Sequence, residues 1–598
     1  VDVSLVNTMQ VETIYSERIH SYDKAMRAKQ QLLKTLGMVR LLTFLLTSFF
    51  VYKLIFTQFN TIWLWPIAAG VVLFGVLLVR YVRVKEQYVL LEKLLWINKT
   101  ELQSATELQW NFADGKAYIN EQHDFSGDLD VFGEASLFNY INRTGTLQGE
   151  LALAKALQHP HQDIHTIEDI QKAVQTLAPS IELRQHFLAE AMLAQEKKDD
   201  VEMLKKWIDM PMEFINNNFW RWFSYINPAL LIASFFYGNN GITLFFFALN
   251  WIALLLNVSK VNKQHSLVSN KERMLGKFAV LLKKMEEVPN AADSKVLSHQ
   301  AALAKEAGAS LQQLSRINNS LDQRLNILVA VVLNSIILYD FHCMYRLEKW
   351  KQQNSQRIMD WFAAIAQMEV LNTFSTFAYN HPHYVYPTLT NEANLIEGKD
   401  VGHPLIPVDA CVANDMQIGV DGQFHIITGS NMSGKSTFLR SVGVNFLLAM
   451  QGAPVCAREF KCSPARIMTS MRIKDSIARH TSYFQAELLR LQHIIKVLQS
   501  GVASFIILDE ILKGTNSEDK LTGSRELIAH FLRYNCMGMI ATHDLELGHM
   551  EETYPSQIRN YCFESTIEND HLHFDYRMRR GVARNKNATF LMRQMAII

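Results

Sequence analysis

Residues 429–436 read Gly-Ser-Asn-Met-Ser-Gly-Lys-Ser, the spacing GxxxxGK[ST] that cradles a polyphosphate. The backbone N–H groups of Gly429, Ser430, Asn431, Met432, Ser433 and Gly434 can turn toward phosphate oxygens, helped by the positive N-terminus of a following helix. Gly429 and Gly434 admit the backbone angles such a loop needs. Lys435 can reach the β- and γ-phosphates, Ser436 can ligate Mg²⁺, and Thr437 continues the same run. Downstream, Asp509 and Glu510 stand side by side. The first suits the magnesium, the second the orientation and polarisation of an attacking water. Two carboxylates after an apolar run also suit a helix N-cap, a reading weakened by the loop upstream. His543 ends a third apolar run, where an uncharged imidazole can sense the terminal phosphate; alone it would read as a structural histidine. The expected catalytic set is therefore Lys435, Glu510 and His543, with Ser436 and Asp509 on the metal and ATP with Mg²⁺ as the ligand.

Those groups need a sheet to hold them. Gln423-Phe-His-Ile-Ile-Thr reads as a short buried strand delivering the loop, and residues 437–450 carry helical spacing. Ser504-Phe-Ile-Ile-Leu and Met537-Gly-Met-Ile-Ala read as further strands, ending at Asp509 and at Thr542-His543. Strand, glycine loop and helix in that order predict an α/β P-loop domain, a mainly parallel sheet flanked by helices, over residues 396–598.

The chain has 598 residues, more than one core usually serves, and its net charge of +1 means that any nucleic-acid surface must be a local patch. Six cysteines without a CxxC pair read as reduced thiols rather than a metal site. Residues 1–40 predict an amphipathic helix and 41–85 an apolar hairpin: 41–56 is apolar apart from Lys53, 62–79 is uncharged, and basic residues flank both outer ends. An 18-residue helix reaches ~27 Å, close to the hydrocarbon thickness of a bilayer. Residues 86–127 read as a connector. Residues 128–221 and 260–395 predict two parts of an all-α core and lever, interrupted at 222–259 by a second uncharged hairpin around Gly238-Asn-Asn-Gly241. Residues 321–337 are apolar enough for a span, but Asp322, Arg324, Asn326 and Asn334 favour a core helix. The flanking charges predict a cytoplasmic-membrane protein with its C-terminal domain in the cytoplasm; the competing reading buries both hairpins in a soluble cytoplasmic protein.

In its motifs the chain resembles the MutS family of DNA mismatch-repair ATPases. Thr428-Gly-Ser-Asn-Met-Ser-Gly-Lys-Ser-Thr437 is similar to that family's TGPNMGGKST, with Ser430 for a proline and Ser433 for a glycine. Asp509-Glu-Ile-Leu-Lys-Gly-Thr515 is similar to DEIGRGT, with Leu512 for a glycine, and Ala541-Thr-His543 matches ATH. Ser482-Tyr-Phe-Gln-Ala-Glu487 resembles STFxxE, which implies that Ser482 reaches the ATP of a partner subunit; an ordinary N-cap role reads equally well. His403-Pro404 and Val412-Ala-Asn-Asp415 resemble the segment leading into the nucleotide domain, where Cys411 replaces the family's adenine-stacking aromatic. More weakly, Leu129-Asp-Val-Phe-Gly-Glu-Ala-Ser-Leu137 and Leu147-Gln-Gly-Glu-Leu-Ala resemble the start of the helical core.

The resemblance implies a homodimer joined through the ATPase domains, with ATP hydrolysis coupled to DNA binding in mismatch repair. The first hundred or so residues hold the apolar hairpin and no Phe-x-Glu motif, which implies a membrane-anchored variant without the mismatch-reading domain. The alternative is a membrane-anchored mechanical or transport-type ATPase without nucleic acid, although no LSGGQ-like signature supports a transporter. A basic run, Arg577, Arg579, Arg580, Arg584 and Lys586, is either a phosphate contact or, more simply, a solvated face.

Overall fold

The computed structural model describes residues 3–56, 60–106, 109–269, 271–419, 422–430, 432–472, 483–568 and 571–584. Apolar residues at helical spacing, with side-chain N-caps such as Thr146, Asp163, Asn217 and Asn239, build a helical first part. Its helices are α1 (Val3–Phe56), α2 (Leu64–Thr106), α3 (Leu137–Ile141), α4 (Leu147–Gln158), α5 (Ile164–Leu177), α6 (Ile181–Ala194) and α7 (Asp200–Asp209). Then follow α8 (Asn218–Tyr237), α9 (Asn240–Val268), α10 (Glu272–Glu286), α11 (Lys295–Asp322), α12 (Ile327–Ile337), α13 (Tyr339–Asn354) and α14 (Ile358–Asn380). The remainder mixes strands and helices: β1 (Thr388–Leu389), β2 (Ile396–Val401), β3 (Asn414–Ile418), β4 (Phe424–Gly429), α15 (Lys435–Met450), β5 (Glu459–Cys462) and β6 (Arg466–Ser470). It ends with α16 (Tyr483–Gln499), β7 (Ser504–Asp509), α17 (Ser517–Phe531), β8 (Cys536–Thr542), α18 (Met550–Thr553), β9 (Ile558–Glu568) and β10 (His571–Arg580).

α1 is one continuous rod of 54 residues, so the boundary expected at residue 40 falls inside a helix. It folds back on α2 as an antiparallel pair. A Cβ on Gly70 would collide with Thr47, so the two helices approach closely there. Lys29 Nζ donates to Gln87 Oε1 at 2.8 Å, and the Arg40 guanidinium lies over the Tyr81 ring. The root of the pair is packed into the body. Tyr22, Leu90, Leu94 and Ile97 cluster with Leu188 and Ala189 of α6, and Glu101 holds the buried Arg143 through two bonds of 2.5 and 3.0 Å. Beyond the root the outward residues are apolar and exposed, among them Leu42, Phe44, Leu46, Trp65, Val72 and Val76. α1, α2 and α9 are long and apolar enough to cross a membrane, and α11 with α12 adds a fourth if that bent pair counts as one span.

α4–α6, α10, α11, α13 and α14 enclose the helical core, in which Trp207 stacks on Trp350 at 6.2 Å. Residues 124–136 form turns, although helical spacing had been expected from Asp128 onward. The reason is that its carboxylate leaves the local backbone for the C-terminal domain, accepting from Thr469 Oγ1, Met471 N and Arg472 N at 2.6, 3.1 and 2.8 Å. Asp124 does the same with Arg466 and His493 at 2.7 and 2.9 Å.

The larger sheet runs β10-β9-β4-β8-β7-β6, parallel throughout except for β10 against β9, and a smaller sheet runs β1-β5-β2-β3. Side-chain alternation sends Ile427, Phe505 and Ile507 to the face covered by α15, and Ile426, Ile506 and Leu508 to the face covered by α16 and α17. The expected α/β arrangement of the C-terminal part and helical character of the rest are both present.

Candidate nucleotide-binding site

β4 is buried along its whole length and hands Gly429 to the loop. A Cβ at Gly429 would strike the Phe563 carbonyl, and Gly434, at φ +101°, lies against the Tyr576 ring. In register, Thr428 pairs with Thr542, and Asp509 with Ala541. Three parallel strands therefore end together, bringing the glycine loop, Asp509–Glu510 and His543 to one edge as the sequence predicted.

Lys435 is buried, and its Nζ donates to the carbonyls of Gly429 and Ser430, each at 2.8 Å. Burial lowers the pKa of this ammonium, opposed by Glu510 and Asp509. Burial raises the pKa of Asp509, opposed by a hydrogen bond from Ser436. The Oδ1 of Asp509 is buried with no hydrogen-bond partner. A spare carboxylate oxygen beside a hydroxyl fits a hard divalent cation whose remaining ligands are phosphate and water. Among the described residues no group of three His, Cys, Asp or Glu side chains is placed to hold a metal by itself.

Glu510 has a left-handed backbone, φ +49°. Its Oε1 lies 2.6 Å from His543 Nε2 and its Oε2 lies 3.0 Å from Lys513 Nζ. The His543 contact, with help from Lys513, holds this carboxyl down to about 2 in spite of burial. On its other side His543 Nδ1 is 2.7 Å from the Gly429 carbonyl. A carbonyl and a carboxylate both only accept, so each ring nitrogen faces an acceptor, and the imidazole bridges loop and carboxylate by donating from both sides.

Leu512 keeps φ +58° although it has a side chain, which is buried. Its N–H donates to Glu487 Oε1 at 2.5 Å. Glu487 is buried, which raises its pKa, and the sequence marked it only as the end of a motif.

One contributor had no sequence signal. β10 bulges between Phe574 and Met578, and Tyr576 there has φ +53°. Asn414 clamps the bulge: its Nδ2 donates to the Tyr576 carbonyl at 3.0 Å and its Oδ1 accepts from Met578 N at 2.7 Å. The Tyr576 ring stacks on Phe574, with centroids 6.2 Å apart, and lines a cavity of about 540 Å³. The same cavity is lined by residues 432–438, Glu510, Val401, His403, Cys411, Val412 and Phe563. Cys411 is therefore on the wall as expected, and an aromatic face is supplied from β10.

Asn431, Ser482 and Lys586 lie outside the described residues. Within the basic run, Arg579 is paired with Asp575, while Arg580 is paired with Glu551 and lies over the Tyr561 ring.

Residues 425–596 match the family model of MutS domain V. The chain is 32% identical over 223 residues to DNA mismatch repair protein MutS of Thermotoga sp. (strain RQ2), covering 37% of this chain and 27% of that protein. It is 31% identical over 240 residues to the protein of the same name from Chloroflexus aurantiacus (strain ATCC 29366 / DSM 635 / J-10-fl), covering 39% and 24%. It is 28% identical over 271 residues to MutS protein homolog 4 of Mus musculus, covering 44% and 26%. The matches thus span about a quarter of the length of these relatives.

Proposed function

Residues 425–596 belong to the MutS domain V family, and from that premise we propose that residues 396–598 bind ATP with Mg²⁺ and hydrolyse it. The observation that carries the reading is the Ser436–Asp509 pair, with one carboxylate oxygen spare, opening on the cavity that Lys435 and Glu510 border. Mg²⁺ held by Ser436 and Asp509 would neutralise phosphate charge. Lys435 exchanges its loop carbonyls for β- and γ-phosphate oxygens. Glu510, ionised at neutral pH, orients the attacking water; the new bond to the γ-phosphorus forms as the bond to the ADP oxygen breaks. His543, touching both the loop and Glu510, relays the state of one to the other. The base lies against Tyr576.

The proposal extends to a homodimer joined through these domains, with Ser482 of each chain directed at the ATP of the other. The printed role of the relatives in DNA mismatch repair supports DNA binding as the coupled event. The exposed apolar residues of α1, α2, α8 and α9 support a tether in the cytoplasmic membrane, with the ATPase domain in the cytoplasm. The segmentation at 1–40, 41–85, 86–127, 128–221, 222–259, 260–395 and 396–598 is kept as a division of labour, although its boundaries at 40, 85, 221 and 259 fall inside α1, α2, α8 and α9. A second reading is a membrane-anchored mechanical ATPase without nucleic acid; the pairing of Arg579 and Arg580 within their own domain favours it.

Lys435→Ala is expected to lower ATP turnover by at least ~100-fold, and unchanged hydrolysis would refute the site. Glu510→Gln is expected to bind ATP and hydrolyse it slowly; normal turnover removes Glu510 from its role. ATPase rates in detergent with and without duplex, mismatched and branched DNA separate the two readings. Stimulation supports the first, and no response with no binding at low salt leaves the second.

A further inference from the structure

Where α8, α9 and α12 turn toward one another they bring polar side chains together beside Pro228, Leu231 and Ala253, and the large side chains they turn outward are apolar. Asn227 Nδ2 donates to Asn250 Oδ1 at 2.7 Å and to the Phe246 carbonyl at 3.0 Å. Asn250 Nδ2 in turn donates to the Ser335 carbonyl of α12 at 2.8 Å. Nearer the hairpin turn, Ser234 Oγ donates to the Leu231 carbonyl at 2.7 Å and lies 3.1 Å from Thr243 Oγ1. Asn227, Asn250 and Ser335 are all buried, whereas Phe235, Phe236, Leu244 and Leu255 of the hairpin and Val332 and Ile336 of α12 are exposed. In water this distribution is inside out. In hydrocarbon it is stable: the polar groups satisfy one another inside, and the apolar surface faces the acyl chains.

α12 has 11 residues, ~16 Å of helix, about half of a ~30 Å hydrocarbon core. Arg324, just before it, donates to Asn262 of α9, while Ser335 near its end meets Asn250 of α9. Those α9 partners lie ~18 Å apart along the helix, so α12 runs beside α9 from the root of the hairpin inward. The chain enters α12 from α11 through a 108° bend and turns again at Leu338, φ +51°. Asp340 of α13 then lies 3.0 Å from Arg324, so the path in and the path out meet on one side. The polar residues that had favoured a core helix sit at these ends or face inward; Asn334 Oδ1, for example, accepts from Asp340 N at 2.9 Å.

We propose that α12 is a re-entrant half-helix that enters the lipid beside α8 and α9 and returns to the same side. The inference rests on the membrane-tether reading above, and the covering partner it commits to is the acyl-chain phase of a bilayer. Because α12 follows directly on α11, the lever of the helical body would be joined by one bend to an element embedded in lipid.

The full chain is to be reconstituted into phosphatidylethanolamine–phosphatidylglycerol vesicles containing a bilayer-dissolved diazirine lipid, photolysed, digested and mapped by mass spectrometry. The expected result is carbene insertion at Val331, Val332 or Ile336 at a yield within about threefold of that at Phe235, Leu244 or Leu255. Labelling of α8 and α9 with none on α12 overturns the re-entrant helix and leaves the tether standing. No labelling on any of the three helices overturns both, and is the result expected if another protein or a second copy covers this face.

Discussion

Tyr576 holds its place through Asn414, whose amide bonds both flanks of the β10 bulge. Tyr576→Ala is expected to weaken ATP binding by about 1–3 kcal/mol, a factor of roughly five to a hundred or more in Kd, while Tyr576→Phe changes it little. Nucleotide titration by calorimetry reads the difference, and an unchanged Kd in the alanine variant removes the ring from the base site. Glu510 makes a prediction about pH. Its folded pKa of about 2 lies below the unfolded value near 4.5. Its stabilising contribution is therefore complete above pH ~4.5 and is lost as pH falls toward 2. An ATPase profile should accordingly show no inflection from Glu510 between pH 5 and 8, and a Glu510 carboxyl seen by NMR to titrate in that range would contradict the assignment. That Gly429, Lys435, Ser436, Asp509, Glu510 and His543 come to one edge was legible in the sequence because their strands follow local patterns and each group stands at a strand's end or at the start of the helix that follows. Tyr576 was not: a bulge breaks strand alternation, and the clamp comes from Asn414, far away in the chain.

At the scale of the element, the start of α4 carries a conditional cap. Glu369 of α14 accepts from Gly145 N at 2.6 Å, from Thr146 N at 3.1 Å and from the Thr146 hydroxyl. Burial raises its pKa to about 7 even though those bonds oppose the shift. The folded value lies above the unfolded one, so its stabilisation is complete below pH ~4.5 and lost as pH rises through about 7. Amide exchange in α4 should quicken between pH 5 and 8 beyond its intrinsic pH dependence, and Glu369→Gln should flatten that excess. An excess that persists in the glutamine variant assigns it to another group. This cap was invisible in the sequence, since donors and acceptor meet only through tertiary packing. The two hairpins were visible because long uncharged runs need no partner to be noticed. The unbroken course of α1 was not, since the change from charged to apolar at residue 40 looks like a boundary although helix geometry continues through a change in composition.

At the scale of the whole molecule, the tether makes a fractionation prediction. Membranes washed at alkaline pH should retain the full chain; its complete release would return the apolar helices to contacts with protein. Glu510→Gln with ATP should sediment at twice the monomer mass if the ATPase domains pair across bound nucleotide. Monomer alone at saturating ATP would argue against that pairing.

The rooting of the two hairpins has a geometric consequence. Between Leu90, the residue on α2 farthest from the body in its cluster with α6, and Arg80, α2 and its partner α1 form roughly 15 Å of stalk. The second hairpin has no such spacer: Glu348 of α13 binds the backbone N–H groups of Glu213, Phe214 and Ile215 just before α8. One foot is long and the other short. On the tether proposed above, both feet standing in one flat bilayer would lean the body toward the short foot and so set its inclination and the height of the candidate site above the lipid. Removing two turns from each arm of the stalk would change that lean without touching a single catalytic group.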